Sequence, residues 1–144
     1  MAQVPAQSNP GNYRPGRGVL IVNGIQVEGI SSGGVVFAFT DDLNTVTTGL
    51  DGSWLFTTKE AYAGTCTINL MCTSPAVPIF NALLAANKYN DSGNFLLVYK
   101  SESGKEIITM PAARFAKQPD MNFGDTPTDR VYTVISGNME VAAA

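Results

Sequence analysis

Thr65-Cys66-Thr67-Ile68-Asn69-Leu70-Met71-Cys72-Thr73-Ser74-Pro75 carries two different periods in one short stretch. Cys66, Ile68, Leu70 and Cys72 fall on one face of an extended chain, and Thr65, Thr67, Asn69 and Met71 on the other. That alternation is the mark of an antiparallel strand with one face on a core. At Ser74-Pro75 the period changes. Serine is a favoured N-cap and proline is tolerated at the first helical position. Val77, Phe80, Leu83 and Leu84 then recur at spacings of three and four, and Ala82, Ala85 and Ala86 favour helix. The stretch predicts a strand feeding a helix of about three turns, stopped by the polar residues 87–93.

Outward from this point the chain reads as β-structure. Residues 19–22 form a β-branched run closed by Asn23-Gly24, a strong hairpin signal. Residues 25–30 alternate as a second strand, broken at Gly33-Gly34. Residues 35–40 are apolar on both faces, which predicts a covered, central strand. Residues 41–52 are mostly polar and contain Thr45-Val46-Thr47-Thr48, which can pair as a short strand, so a protruding hairpin or loop is expected. Trp54-Leu55-Phe56 begins another strand, with Trp54 and Phe56 on one face. After the helix, residues 95–100 and 106–110 flank a turn at 102–105. The second strand continues beyond Pro111, which sits at an edge or bulge. Residues 130–141 read as one long strand bent at Gly137, and residues 142–144 as a fraying end. The fold class is α+β and mainly β: a β-sandwich or half-barrel of antiparallel strands with one flanking helix. Two parts are expected, an extended arm over residues 1–17 (Pro5, Pro10 and Pro15 oppose helix) and one β domain over residues 18–144.

Of the 144 residues only 15% are charged, against about 25% in ordinary domains. Uncharged surface suits subunit contacts, or equally a β-domain with Thr, Ser and Asn outside; composition does not decide. The net charge is -3, with the basic residues scattered, which disfavours stable nucleic-acid binding. No signal-peptide core and no apolar run near membrane-spanning length is present, so synthesis in the cytosol is expected.

Little supports catalysis. The chain has no histidine, hence no His base, His ligand or Ser-His-Asp set. Ser101 and Lys105 flank a turn. Asp41, Asp42 and Asp51 lack EF-hand spacing and suit turns better. Cys66 and Cys72, about 20 Å apart along a strand, are too distant for a disulfide and read as small hydrophobes. No enzyme activity, metal or cofactor is expected. Tyr13, Arg14 and Arg17 could form a small contact for a nucleic acid or partner, but for DNA a solvated tail is the better reading.

Several segments in fixed order resemble the tail tube proteins of contractile-tailed bacteriophages. Residues 45–53 are similar to a Thr-x-Gly-x-Asp-Gly-Ser segment, residues 63–70 to a Gly-x-Val-x-Val-x-Leu strand, Thr73-Ser74-Pro75 with Leu83 to a helix entry, and residues 115–119 to a Phe-Lys-x-Pro strand. The chain departs from the pattern at residues 130–134, which lack the tryptophan found before the final strand, and in its longer Pro-rich arm. The resemblance implies a structural subunit forming hexameric rings stacked into a tube. A sheath would surround the tube, a tape-measure protein would occupy it during assembly, and DNA would pass through its lumen without specific binding. Baseplate and terminator proteins would be further partners. The setting implied is the virion tail, assembled in the host bacterial cytoplasm, with no membrane partner. Contacts between rings or subunits are then expected at Tyr13, Arg14, Arg17, Asp41, Asp42, Asn44, Thr47, Leu50 and Asp51. The alternatives are a terminator, baseplate or secretion-system tube protein of the same fold, or a monomeric ligand-binding β domain with a pocket near Trp54 and Tyr62.

Overall fold

The computed structural model describes residues 15–90, 94–101 and 106–143. A short 3-10 turn, Pro15–Arg17, leads into β1 (Val19–Val22), β2 (Ile25–Gln26), β3 (Ile30–Phe39), β4 (Asn44–Thr48), β5 (Trp54–Thr58) and β6 (Gly64–Leu70). The helix α1 (Ala76–Asn90) follows, then β7 (Phe95–Lys100), β8 (Glu106–Phe115), β9 (Arg130–Ser136) and β10 (Glu140–Ala143). All ladders are antiparallel, and the main sheet runs β2-β1-β7-β8-β9-β6-β3, with β10 also on β8.

The sheet curls without closing. Phe37 on β3 meets Tyr99 on β7, ring centroids 5.6 Å apart, although four strand positions separate them in the sheet order. Residues 27–29 cross the remaining gap. The Val27 N–H donates to the Leu20 carbonyl, and the Met71 N–H donates to the Gly29 carbonyl. Inward side chains from both limbs, among them Leu20, Leu97, Met110, Cys66, Ile68 and Val134, form one buried cluster. The helix seals one side of it. Phe80 meets Tyr132 edge to face at 5.0 Å and Phe115 at 5.3 Å, and the Tyr132 hydroxyl donates to Asn81 Oδ1 at 2.9 Å. This is the mainly β half-barrel with one flanking helix that the periodicity predicts.

Local signals explain most element boundaries. Asn23 and Gly24 both adopt positive φ, 53° and 80°, as a two-residue hairpin turn requires. Strand β6 alternates buried and half-buried along its whole length. Ser74 Oγ accepts the Ala76 N–H at 3.2 Å, capping α1, and donates to the Glu28 carbonyl. A register shift opposite Phe95 and Leu97 lets β8 run past Pro111, so a bulge absorbs the missing N–H. Cys66 is buried, Cys72 is half-buried, and both are free thiols.

Several expectations change. Residues 35–40 are not a central strand: among the described residues β3 is the last strand of the sheet, paired with β6 alone. Val35 and Phe37 pack on the core, while Val36 and Phe39 stay 54% and 52% exposed. Apolar residues on both faces signal a need for cover, and the described residues supply cover to one face only. Residues 25–30 are not one strand, because Gly29 turns the chain at φ 76°. Strand β3 then runs through Gly33-Gly34 on a register shift, with Gly34 at φ 68°. The final segment is two strands, not one. Ala142 and Ala143, expected to fray, pair with Ile107 and Glu106. The helix also extends through Asn87 to Asn90, with Lys88 favourable at its C-terminal end. The turn at residues 102–105 lies outside the described residues.

The three-strand ladder β3-β6-β9 has two ends of different character. At one, Phe39, Gly64 and Ser136 stand in a row, and the chain leaves the sheet into β4 and β5. At the other stand Ile30, Leu70 and Arg130.

Candidate functional site: an exposed hairpin

Strands β4 and β5 form a two-stranded sheet of their own. The pairs are Asn44 with Thr58, Thr45 with Thr57, Val46 with Phe56, Thr47 with Leu55 and Thr48 with Trp54. Below them the Lys59 N–H donates to the Leu43 carbonyl at 2.7 Å, and the Thr40 N–H to the Ala63 carbonyl at 3.1 Å. The hairpin therefore continues the β3-β6 ladder beyond the curled sheet. Every residue from 38 to 60 is exposed.

Its two faces differ. Alternation places Val46, Trp54 and Phe56 on one face with Asn44, Thr48 and Thr58. The other face carries Thr45, Thr47, Leu55 and Thr57. Trp54 and Phe56 are in edge-to-face contact, and the Thr58 hydroxyl donates to Asn44 Oδ1 at 2.8 Å. At the tip, Asp51 Oδ1 accepts the Ser53 N–H at 3.0 Å and the Ser53 hydroxyl. These bonds, the hydroxyl first, hold the Asp51 carboxyl below its ordinary pKa. Leu50, beside it, is as exposed as a side chain in an extended chain, at 111%.

Such a hairpin is an unusual thing to leave in water. An isolated two-stranded ribbon is marginal by itself. This one exposes Leu43, Val46, Leu50, Trp54, Leu55 and Phe56 together, and an exposed apolar cluster of that kind marks an interaction surface. Its acids, Asp41, Asp42 and Asp51, are accompanied by no basic residue between positions 41 and 58. Each fully buried side chain of the Leu or Phe class is worth about 1.5–3 kcal/mol.

The sequence-derived contact residues separate into two groups. Asp41, Asp42, Asn44, Thr47, Leu50 and Asp51 all lie on this hairpin. Arg17 is exposed at the end of the 3-10 turn, and Tyr13 and Arg14 lie outside the described residues. Sequence reasoning missed the apolar members Val46, Trp54, Leu55 and Phe56. Their alternation was legible, but a strand that alternates normally points its apolar face at its own core. Two grooves of the domain, of about 570 and 750 Å³, are lined by neither Trp54 nor Tyr62. Among the described residues no cluster of metal-ligating side chains occurs, and no helix is long and apolar enough to cross a membrane.

Comparison with solved structures gives chains of similar fold across nearly the whole length. The anti-feeding prophage tube-terminating cap superposes with a TM-score of 0.65 at 14% identity, covering 100% of this chain and 95% of that one. A chain of the PVC extracellular contractile injection system sheath–tube complex, in its extended state, gives 0.65 at 10% identity, with coverage of 99% and 100%. A chain of the PVC sheath/tube terminator gives 0.60 at 10% identity, covering 99% of each. No curated protein sequence matches. The family described as Bacteriophage PhiTE tail tube protein matches residues 13–142. Its members are structural proteins and not enzymes. With nearly all of its length matched, this chain belongs to the Bacteriophage PhiTE tail tube protein family.

Proposed function

We propose that the chain is the repeating subunit of a phage tail tube, closing into hexameric rings that stack along one axis. The observation that carries this reading is the hairpin, a fully exposed ribbon whose apolar face finds no cover among the described residues. Strand edges join subunits within a ring, with β3 offering a long edge that no other strand pairs among the described residues. The hairpin, with Asp41, Asp42, Asn44, Thr47, Leu50 and Asp51, locks one ring to the next, helped by an N-terminal arm that includes Tyr13, Arg14 and Arg17. A contact that closes makes the ring, and a head-to-tail contact that does not close makes the filament. In this reading a sheath surrounds the tube. A tape-measure protein occupies it during assembly, and baseplate and terminator proteins are further partners. DNA crosses the lumen without binding. Assembly takes place in the host cytoplasm and the product resides in the virion tail.

Electron microscopy of the purified chain tests this. Tubes are expected from the intact protein. A variant with residues 42–50 shortened to a tight turn should stay folded but form no tubes. Normal tubes from that variant would reject the reading. Isolated rings from the intact chain would favour a terminator, a role supported by the likeness in fold to the prophage cap.

A further inference from the structure

Arg130 is buried, 6% exposed, at the end of the β3-β6-β9 ladder opposite the hairpin. Burying a guanidinium is costly unless the charge is paired and hydrogen-bonded. Here its partners are modest. Nη1 donates to the Thr128 carbonyl at 3.1 Å and to Thr128 Oγ1 at 3.2 Å. The guanidinium carbon lies 5.1 Å from the centre of the Phe123 ring. No carboxylate pairs with it among the described residues, although Asp125 and Asp129 are close in sequence and exposed. Phe123 itself is 83% exposed and is held in place by a bridge to Pro127. An arginine lying against an exposed aromatic ring is the composition of an interface anchor.

The opposite end of the same ladder offers the complement. The hairpin tip presents a fully exposed leucine, Leu50, next to a carboxylate, Asp51, kept ionised by its turn. One Asp51 oxygen serves Ser53, which leaves the second available as an acceptor. A heterologous contact joins two different patches of the same chain, and patches at opposite ends of one strand ladder can repeat along an axis without clashing. We infer that Phe123 and Arg130 form the receptor for the hairpin tip of a second copy: Leu50 packs on the exposed Phe123 ring, and the Asp51 carboxylate faces the Arg130 charge that lies behind that ring. This rests on the stacking reading above and names the surface that stacking uses.

Phe123 and Leu50 are both exposed, so their substitution spares the fold. Phe123→Glu should cut the yield of sedimentable tubes about tenfold or more, the effect of losing one anchor. It removes the ring and offers Arg130 a carboxylate in its own subunit. Leu50→Lys should do the same. The double variant Leu50→Lys/Phe123→Glu should recover tubes through the new Lys–Glu pair. None of the three should melt much below the parent protein, since a glutamate at position 123 gives the buried Arg130 a partner. Wild-type yield from Phe123→Glu, or no recovery in the double variant, overturns the pairing. The chain shortened at residues 42–50 separates the two failures. If it makes no tubes while Phe123→Glu makes normal ones, the hairpin stacks but its receptor lies elsewhere. If it still makes tubes, the stacking reading itself is wrong.

Discussion

Trp54 and Phe56 meet edge to face on the hairpin, ring centroids 4.8 Å apart and planes at 70°, yet they are 62% and 60% exposed. Two aromatic rings on one side of a ribbon, with Val46 beside them, give a preformed apolar face. Their mutual contact fixes the rings before any partner arrives, which lowers the ordering cost of association.

Trp54 is the single tryptophan of the chain, so its fluorescence reports this face alone. In the dissociated subunit its emission should be that of a wet indole and be readily quenched by acrylamide. On assembly the emission should shift to the blue and quenching should fall. Replacing Trp54 and Phe56 together by threonine, a residue that suits a strand, should abolish tubes and leave the melting temperature almost unchanged. An unshifted emission spectrum in assembled tubes would show that the face stays in water.

Tyr132 and Asn81 join the sheet to the helix through one hydrogen bond of 2.9 Å. Tyr132→Phe removes the hydroxyl and keeps the ring that Phe80 and Phe115 pack against. It should cost about 1 kcal/mol of stability. Phe80→Ala removes the centre of the aromatic group and should cost about 3–5 kcal/mol. Urea denaturation of the single variants and of Tyr132→Phe/Asn81→Ala gives the coupling between the two residues. Strictly additive effects would mean that the bond contributes nothing.

How legible the fold was in the sequence depended on whether a residue satisfied a local rule within the folded domain. The alternation of residues 65–70, the Asn23-Gly24 turn and the Ser74 cap were readable, because each satisfies a local rule inside one domain. Strand β3 was misread because Val36 and Phe39 obey the rule for covered residues while their cover is absent. Gly29 escaped notice because its role depends on Ser74, a residue far along the chain. Asp41, Asp42 and Leu50 were placed on the hairpin through turn chemistry and resemblance. Trp54 was singled out only for a pocket with Tyr62, because its alternation with Phe56 looks like that of a strand facing its own core. Arg130 gave no signal at all, since burial of one charge is decided by the loop that folds over it.

Gly29 and Ser74 make a tight crossing where residues 27–29 pass the helix entry. A Cβ on Gly29 would lie 2.7 Å from Ser74 Cβ and 2.8 Å from its Oγ, at a backbone φ of 76°. Gly29→Ala should therefore destabilise on two counts, strain and collision. Ser74→Ala loses the cap to Ala76 and the bond to the Glu28 carbonyl, and should cost about 1–2 kcal/mol. In Gly29→Ala/Ser74→Ala the Oγ contact is gone while the Cβ contact stays, so the double variant should be slightly more stable than the sum of the single losses predicts. Additivity in thermal denaturation would argue against the crossing.

Cys66 lies at the centre of the core with no exposed surface, and burial pushes its thiol up to about 12 from an ordinary 9.0. The unfolded chain releases that proton near the ordinary value, while the folded chain holds it. Between the two values the unfolded state binds fewer protons, so stability is full below pH 9 and falls as pH rises toward 12. The slope from this one group is at most about 1.4 kcal/mol per pH unit. Tyr132 acts in the same direction above pH 10: burial raises its hydroxyl, and the nearby Arg130 charge only partly opposes this. Cys66→Val has no proton to release and keeps the packed volume nearly constant. Its stability should track the parent near neutral pH and decline less steeply between pH 9 and 10. Above pH 10 the slope it retains should shrink further in Cys66→Val/Tyr132→Phe. Denaturant titrations at closely spaced pH values measure these slopes, and identical slopes for parent and Cys66→Val would show that the thiol is not held protonated by the core.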